Sequence, residues 1–227
     1  DESMDAQGLY LVHTLEEAAC KALELAGTGR PQELLADHYA LADMADTLRD
    51  CLGSQQKYIR GLYCGGTLAY ESMLLMGKAL GDVHSNIALE SRLLLDGTAP
   101  SVGHTVLDLG DDAFTVGKPH PMIEPSLRGE RLLQEALDPA TAVILLDVEI
   151  GYGSHENPAS VVAEEISQAK AVLSEEGREV VFVASICGTY EDMQDYAAQK
   201  TLLEQQGVVV LESNAQAAEL AILTVSR

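Results

Sequence analysis

The chain has 227 residues, 47% of them hydrophobic, enough for one large or two small domains around an apolar core. Thirty-six acidic residues face fourteen basic ones, a formal net charge of −22. That balance excludes nucleic acid as a partner, because phosphate backbones are bound by clustered Lys and Arg. No apolar run is long enough to span a membrane, and no basic start followed by an apolar stretch marks a secretory signal.

The acidic residues are spread over helix faces (Glu16, Glu17, Glu164, Glu165, Glu175, Glu176), as on a solvated surface. Cys20, Cys51, Cys64 and Cys187 show neither CxxC spacing nor a Cys-His pairing suited to zinc, so reduced cytoplasmic thiols and no metal site are expected. Cys64 and Cys187 each end a strand just before glycine; buried filler is favoured over reactive thiols.

The chain starts at Asp1, ahead of its first methionine at Met4, and is expected to be processed or cut from something longer. GLYLVHTLEEAA (residues 8–19) aligns without a gap on GVVVLESNAQAA (residues 207–218). Each copy has a glycine, four apolar residues, a hydroxyl cap and a helix with Ala-Ala at the same offset. Thr14 and Glu17 form a capping box, and Ser213 is the cap of the second copy. Either two units of one generic architecture coincide, or the chain carries a tandem duplication. Under the second reading residues 1–53 hold the closing strand and helix of a preceding related domain, followed by a connector helix over 31–52. The early strand, about 8–12, would then lack its own sheet and pair with another copy or pack irregularly.

From about residue 54 to the end, strands at 58–63, 104–109, 142–148, 179–185 and 207–211 alternate with helices at 67–80, 125–137, 158–175, 193–206 and 214–223. A short strand near 86–95 is also expected. The strands are rich in β-branched residues and lack a clean period of two, the pattern of parallel strands covered on both faces. Strict alternation predicts an α/β, flavodoxin-like doubly wound parallel sheet of five strands, order 2-1-3-4-5, over residues 54–227.

That order puts the topological switch between the first and third strands, flanked by the turns Cys64-Gly65-Gly66-Thr67 and Gly151-Tyr152-Gly153-Ser154-His155. Both turns open helices, whose first amides are expected to be unpaired and to favour a phosphate or carboxylate. Asp108, Asp111 and Asp112 near the second strand's turn either coordinate magnesium or cap turns and helix starts. Capping is favoured, because no carboxylate spacing here is diagnostic. His120, between Pro119 and Pro121, is either an acid, base or ligand-binding group or a histidine bonded to neighbouring backbone. His155 at a helix start is either a neutral donor to an anion or a surface histidine. No GxSxG, HExxH, P-loop or GxGxxG motif occurs.

RGLYCGGTLAYE, VLDLGDDAFTVGKPHPMIEPSLR and LLDVEIGYGSHENPA resemble the carboxyl-terminal part of the FdrA family, acyl-CoA synthetase homologues in the succinyl-CoA synthetase superfamily. The likeness covers nearly the whole chain, and GKPHPMIEP is its most specific stretch. It implies a CoA-ligase-type domain over 54–227. In that superfamily a phosphohistidine loop meets the amino termini of two "power" helices in paired domains, and the helix beginning near Ser154–Pro158 is the match here. The sequence departs in lacking a GHAGA-like loop, an ATP-grasp domain and a CoA-binding Rossmann domain. A complete ligase cycle then needs an upstream CoA-binding-type domain or partner subunits, with CoA and Mg-nucleotide bound only in the complete enzyme, expected to be an oligomer.

The resemblance implies one part of an acyl-CoA synthetase, holding a small anionic substrate at Gly65, Gly66, Thr67, Gly151, Gly153, Ser154 and His155, beside Asp108 and Asp111. His120 is the candidate for proton transfer or anchoring. Two other readings stay open: a carbamoyltransferase subunit acting on oxamate or a similar small acid in ureide breakdown, and a non-catalytic assembly scaffold.

Overall fold

A computed structural model describes residues 8–28 and 38–226. Two helices come first, α1 (Leu15–Leu25) and α2 (His38–Arg49), and residues 31–37 of the expected connector helix lie outside the described residues. The α/β body then runs β1 (Tyr58–Tyr63), α3 (Gly66–Leu80), β2 (Val83–His84), β3 (His104–Asp108), α4 (Asp112–Thr115), α5 (Gly129–Leu137), β4 (Thr141–Glu149), α6 (Pro158–Glu175), β5 (Val181–Cys187), α7 (Tyr196–Gln205), β6 (Val209–Leu211) and α8 (Asn214–Val225).

All strand pairings are parallel, in the order β2-β3-β1-β4-β5-β6. Leaving out β2, this is the expected 2-1-3-4-5 arrangement. The sixth strand is the irregular segment's contribution. It lies at Val83–His84 against His104–Thr105, and Ser85 bridges to Leu94, so the strand expected near 86–95 is corrected to this earlier pair. Asn86 caps the edge by exchanging two hydrogen bonds of 3.0 Å with the Asp108 backbone.

Alternate residues of each strand feed two cores. On one face Ile59, Tyr63, Val106, Val143, Leu145 and Val183 pack on α2, α3 and α8, through Leu41, Ala45, Met73, Met76, Ala217 and Leu220 among others. On the other face Leu62, Leu107, Ile144, Leu146 and Phe182 meet Leu132, Val162, Ile166, Leu173 and Leu203 of α5, α6 and α7. Helices on both sides explain why the strands read as continuous apolar runs. The helix expected over 125–137 opens as a 3-10 turn, Pro125–Arg128, before α5. Pro125 suits such a start, since proline has no amide to lose.

Residues 9–12 form no strand. Leu9 and Leu11 are 57% and 66% exposed, while the aligned Val208 and Val210 are 4% and 9% exposed. The caps of the two copies nonetheless share one geometry. Thr14 (φ −133, ψ 160) accepts from Glu17 N, and Ser213 (φ −139, ψ 159) accepts from Gln216 N. The two helix starts meet at one carboxylate, Glu71 of α3. Its oxygens accept from Leu15 N at 2.6 Å and Asn214 Nδ2 at 2.7 Å.

Candidate functional site

Strands β1 and β4 are neighbours, but the helices after them leave to opposite faces of the sheet. In sheets of this kind the ligand crevice lies beyond the carboxyl ends of the strands at such a reversal. Its first wall is the bend Cys64-Gly65-Gly66. Gly65 is the N-cap of α3, extended at φ −161 and ψ 155, and no side chain caps it. By contrast Thr14, Asp111, Asn157, Asp195 and Ser213 cap α1, α4, α6, α7 and α8. Helix α5 also lacks a cap but continues a 3-10 turn. The first-turn amides of α3 thus have no side-chain cap and carry the partial positive charge of a helix start. Thr67 lies in that turn.

Two carboxylates crowd the bend. A Cβ on Gly66 would come within 3.1 Å of Asp108 Oδ2, and one on Gly65 within 3.8 Å of Glu149 Oε1. Gly110 has no room for a Cβ at all, since it would collide with Cys64 O and His120 Nε2. His120 accepts a hydrogen bond from Met122 N at Nδ1 (3.2 Å), and its carbonyl accepts from Ile123 N and Glu124 N at 2.8 and 3.0 Å. In the neutral ring the proton then belongs on Nε2, the nitrogen beside the Gly110 bend. Of the two readings of His120, the structure shows the bonding to neighbouring backbone, which holds the ring with Nε2 beside Gly110.

The second turn is occupied by protein. Gly151 N donates to Gln194 Oε1 at 3.0 Å, and Gln194 Nε2 donates to Gly151 O and His155 O. His155 N donates to Met122 O, while His155 Nδ1 accepts from Asn157 N. In the first turn of α6, Ala159 N donates to Gln199 Oε1 and Ser160 N to Asn157 Oδ1. The expectation of unpaired amides here is therefore corrected. Gly151 and Gly153 have φ of 120 and 84, so glycine at these positions answers a backbone requirement. Ser154 N is also engaged, with Gly151 O at 3.3 Å. Asp111 caps α4 by accepting from Ala113 N, the favoured role for that aspartate.

Beneath the bend lies an ion pair invisible to the sequence patterns. Asp147 accepts the Cys64 amide on both oxygens, at 2.9 and 3.0 Å, and pairs with Arg128 Nη1 at 3.0 Å. Burial pushes the Glu149 carboxyl up to about 7, Asp147 adds to this, and Arg128 opposes it. Asp108 is also raised, mainly by burial, with the Gly110 amide opposing. Burial lifts the Cys64 thiol well above its ordinary value, which makes it core filler rather than a nucleophile. The crevice thus pairs an uncapped helix start with carboxyls that readily accept protons. Sequence reasoning missed Glu149, although two acidic residues in an otherwise apolar strand, ILLDVE, were a usable signal. Nothing local marked Arg128 or Gly110.

Among the described residues no three His, Cys, Asp or Glu side chains are grouped to hold a metal ion, and no helix is long and apolar enough to cross a membrane. Residues 62–224 match the CoA-ligase family. The chain is also 43% identical over 218 residues to the uncharacterized protein YahF of Escherichia coli (strain K12). That alignment covers 96% of this chain and 42% of YahF, so the chain spans less than half the length of this curated relative.

Proposed function

The chain belongs to the CoA-ligase family, and from that premise we propose that it is one part of an acyl-CoA synthetase of FdrA type, working in the cytoplasm. Its contribution is a phosphate or carboxylate site at the start of α3. The observation that carries this is the uncapped Gly65-Gly66-Thr67 turn at the sheet's switch point, in a fold whose other helix starts are mostly capped by side chains. An acid-thiol ligase passes through a mixed anhydride of carboxylate and phosphate. Fixed amide dipoles there would stabilise the charge on phosphoryl oxygens without reorganising. Glu149, half-protonated near neutral pH, would donate a hydrogen bond to a bound oxyanion or hold a proton for the leaving group. His120 would anchor the substrate through Nε2, from beside the Gly110 turn.

CoA, nucleotide and the remaining machinery would come from an upstream CoA-binding-type domain or partner subunits, in an oligomer. The residues described here supply only the anion-binding half of such a centre. The test is an activity comparison on the natural full-length polypeptide with its partners. Acyl-CoA, phosphate and ADP should yield the free acid, CoA and ATP. Turnover of carbamoyl phosphate with oxamate, and none of acyl-CoA, would replace this reading with a carbamoyltransferase. Inertness in both assays would favour a scaffold.

A further inference from the structure

We infer that Arg128 and Asp147 are positioning residues for the anion site, a buried ion pair that fixes the bend at the start of α3 and sets the charge beneath it. The inference rests on the reading of that crevice as an anion site. Arg128 is 1% exposed and Asp147 0%. One guanidinium nitrogen, Nη1, donates to Asp147 Oδ1 at 3.0 Å, Asp147 O at 2.8 Å and Leu62 O at 3.3 Å, and lies 3.5 Å from Cys64 Sγ. These acceptors belong to β1 and β4 and their ends, the two strands that flank the crevice. Asp147 in turn takes the Cys64 amide on both oxygens, at the residue just before Gly65 and Gly66. The bend is thereby tied to β4 through a side chain where the regular ladder stops.

Stability alone does not account for such a pair. Desolvating two charges commonly costs as much as their attraction returns, and apolar pairs of similar volume do as well or better. This pair is also incompletely satisfied. Arg128 Nε has no hydrogen-bond partner, and neither has Oε2 of Glu165, whose charge also acts on Arg128. What the pair does supply is a fixed shape for an uncapped helix start and a balanced field under Glu149. The groups acting on Glu149 are Asp147 on its own strand, Arg128 from the turn before α5 and Asp108 on β3; Cys64 after β1 and Cys187 on β5 are in turn affected by it. Asp147 favours the protonated Glu149 and Arg128 the ionised one.

The test uses three variants: Asp147→Asn, Arg128→Met, and the double variant Arg128→Met with Asp147→Leu. Carboxyl-carbon NMR follows the Glu149 titration, and a phosphate titration gives the affinity. Asp147→Asn should lower the Glu149 midpoint and Arg128→Met should raise it, each by about one pH unit. The double variant should keep its circular dichroism and a cooperative melt but bind phosphate at least about tenfold more weakly, because the bend is no longer clamped. Midpoints that stay put or move in the same direction would overturn the inference, as would wild-type phosphate affinity in the folded double variant. A wild-type protein that binds no phosphate would instead overturn the anion-site reading. The opposed midpoint shifts would then still decide what the pair does to Glu149.

Discussion

Anion binding in the crevice should be coupled to protonation of Glu149. An ionised Glu149 beside Gly65 repels a bound oxyanion, whereas a neutral one donates a hydrogen bond to it. With the free-state value at about 7, the fraction of neutral Glu149 falls from roughly nine-tenths at pH 6 to roughly one-tenth at pH 8. If binding needs the neutral form, affinity should fall by about tenfold over that interval, or ~1.4 kcal/mol. Sulfate is the probe of choice, because it keeps one charge across the window while inorganic phosphate does not. Calorimetric or NMR titrations at pH 6, 7 and 8 on wild type, Glu149→Gln and His120→Asn give the slope. Glu149→Gln should bind at pH 8 as wild type does at pH 6 and lose the slope, while His120→Asn should bind more weakly but keep it. A flat wild-type profile, or a slope that survives in Glu149→Gln, would refute the coupling.

Other perturbations probe the frame around the site. Gly110→Ala puts a methyl group where Cys64 O and His120 Nε2 already lie, so overpacking should cost about 1–3 kcal/mol in a chemical melt and weaken sulfate binding. Glu135→Ala removes the carboxylate shared by Arg60 (3.0 Å) and Arg131 (2.7 Å), both buried. The loss should be about 3–5 kcal/mol, and an unchanged midpoint would show that the two arginines find other partners. Stability should also respond to pH from both sides. Burial raises Glu165 to about 7, so its contribution is full below its unfolded value and is lost as pH rises through 7. Burial lowers His104 to about 4, so its contribution is present above 6.5 and is lost as pH falls through 4. Melting temperature should therefore peak at mildly acidic pH, and Glu165→Gln should gain on wild type at pH 8 but not at pH 5.

The sheet was legible because burial on both faces writes itself into runs such as TAVILLDVE, and helix starts were legible where a capping residue stands in sequence beside its helix. Thr14 and Ser213 are examples. Strand β2 was misplaced because two residues carry no period; its pairing depends on β3, twenty residues away. The segment 9–12 has the composition of a strand but no neighbouring strand among the described residues, so composition alone could not determine its state. At the site, the glycine turns were visible as local signals. Which turn has its amides taken by side chains was not, because Gln194 and Gln199 reach the α6 start from some forty residues along the chain. Arg128 and Asp147 are likewise joined only by the fold.

The most direct measurement is a phosphate titration of the isotope-labelled protein followed through its backbone amides. Saturable shifts at Gly65, Gly66 and Thr67, with little change at Ala159 and Ser160, are the predicted outcome. Shifts confined to other parts of the molecule, or none at millimolar phosphate, would contradict an anion site at the start of α3.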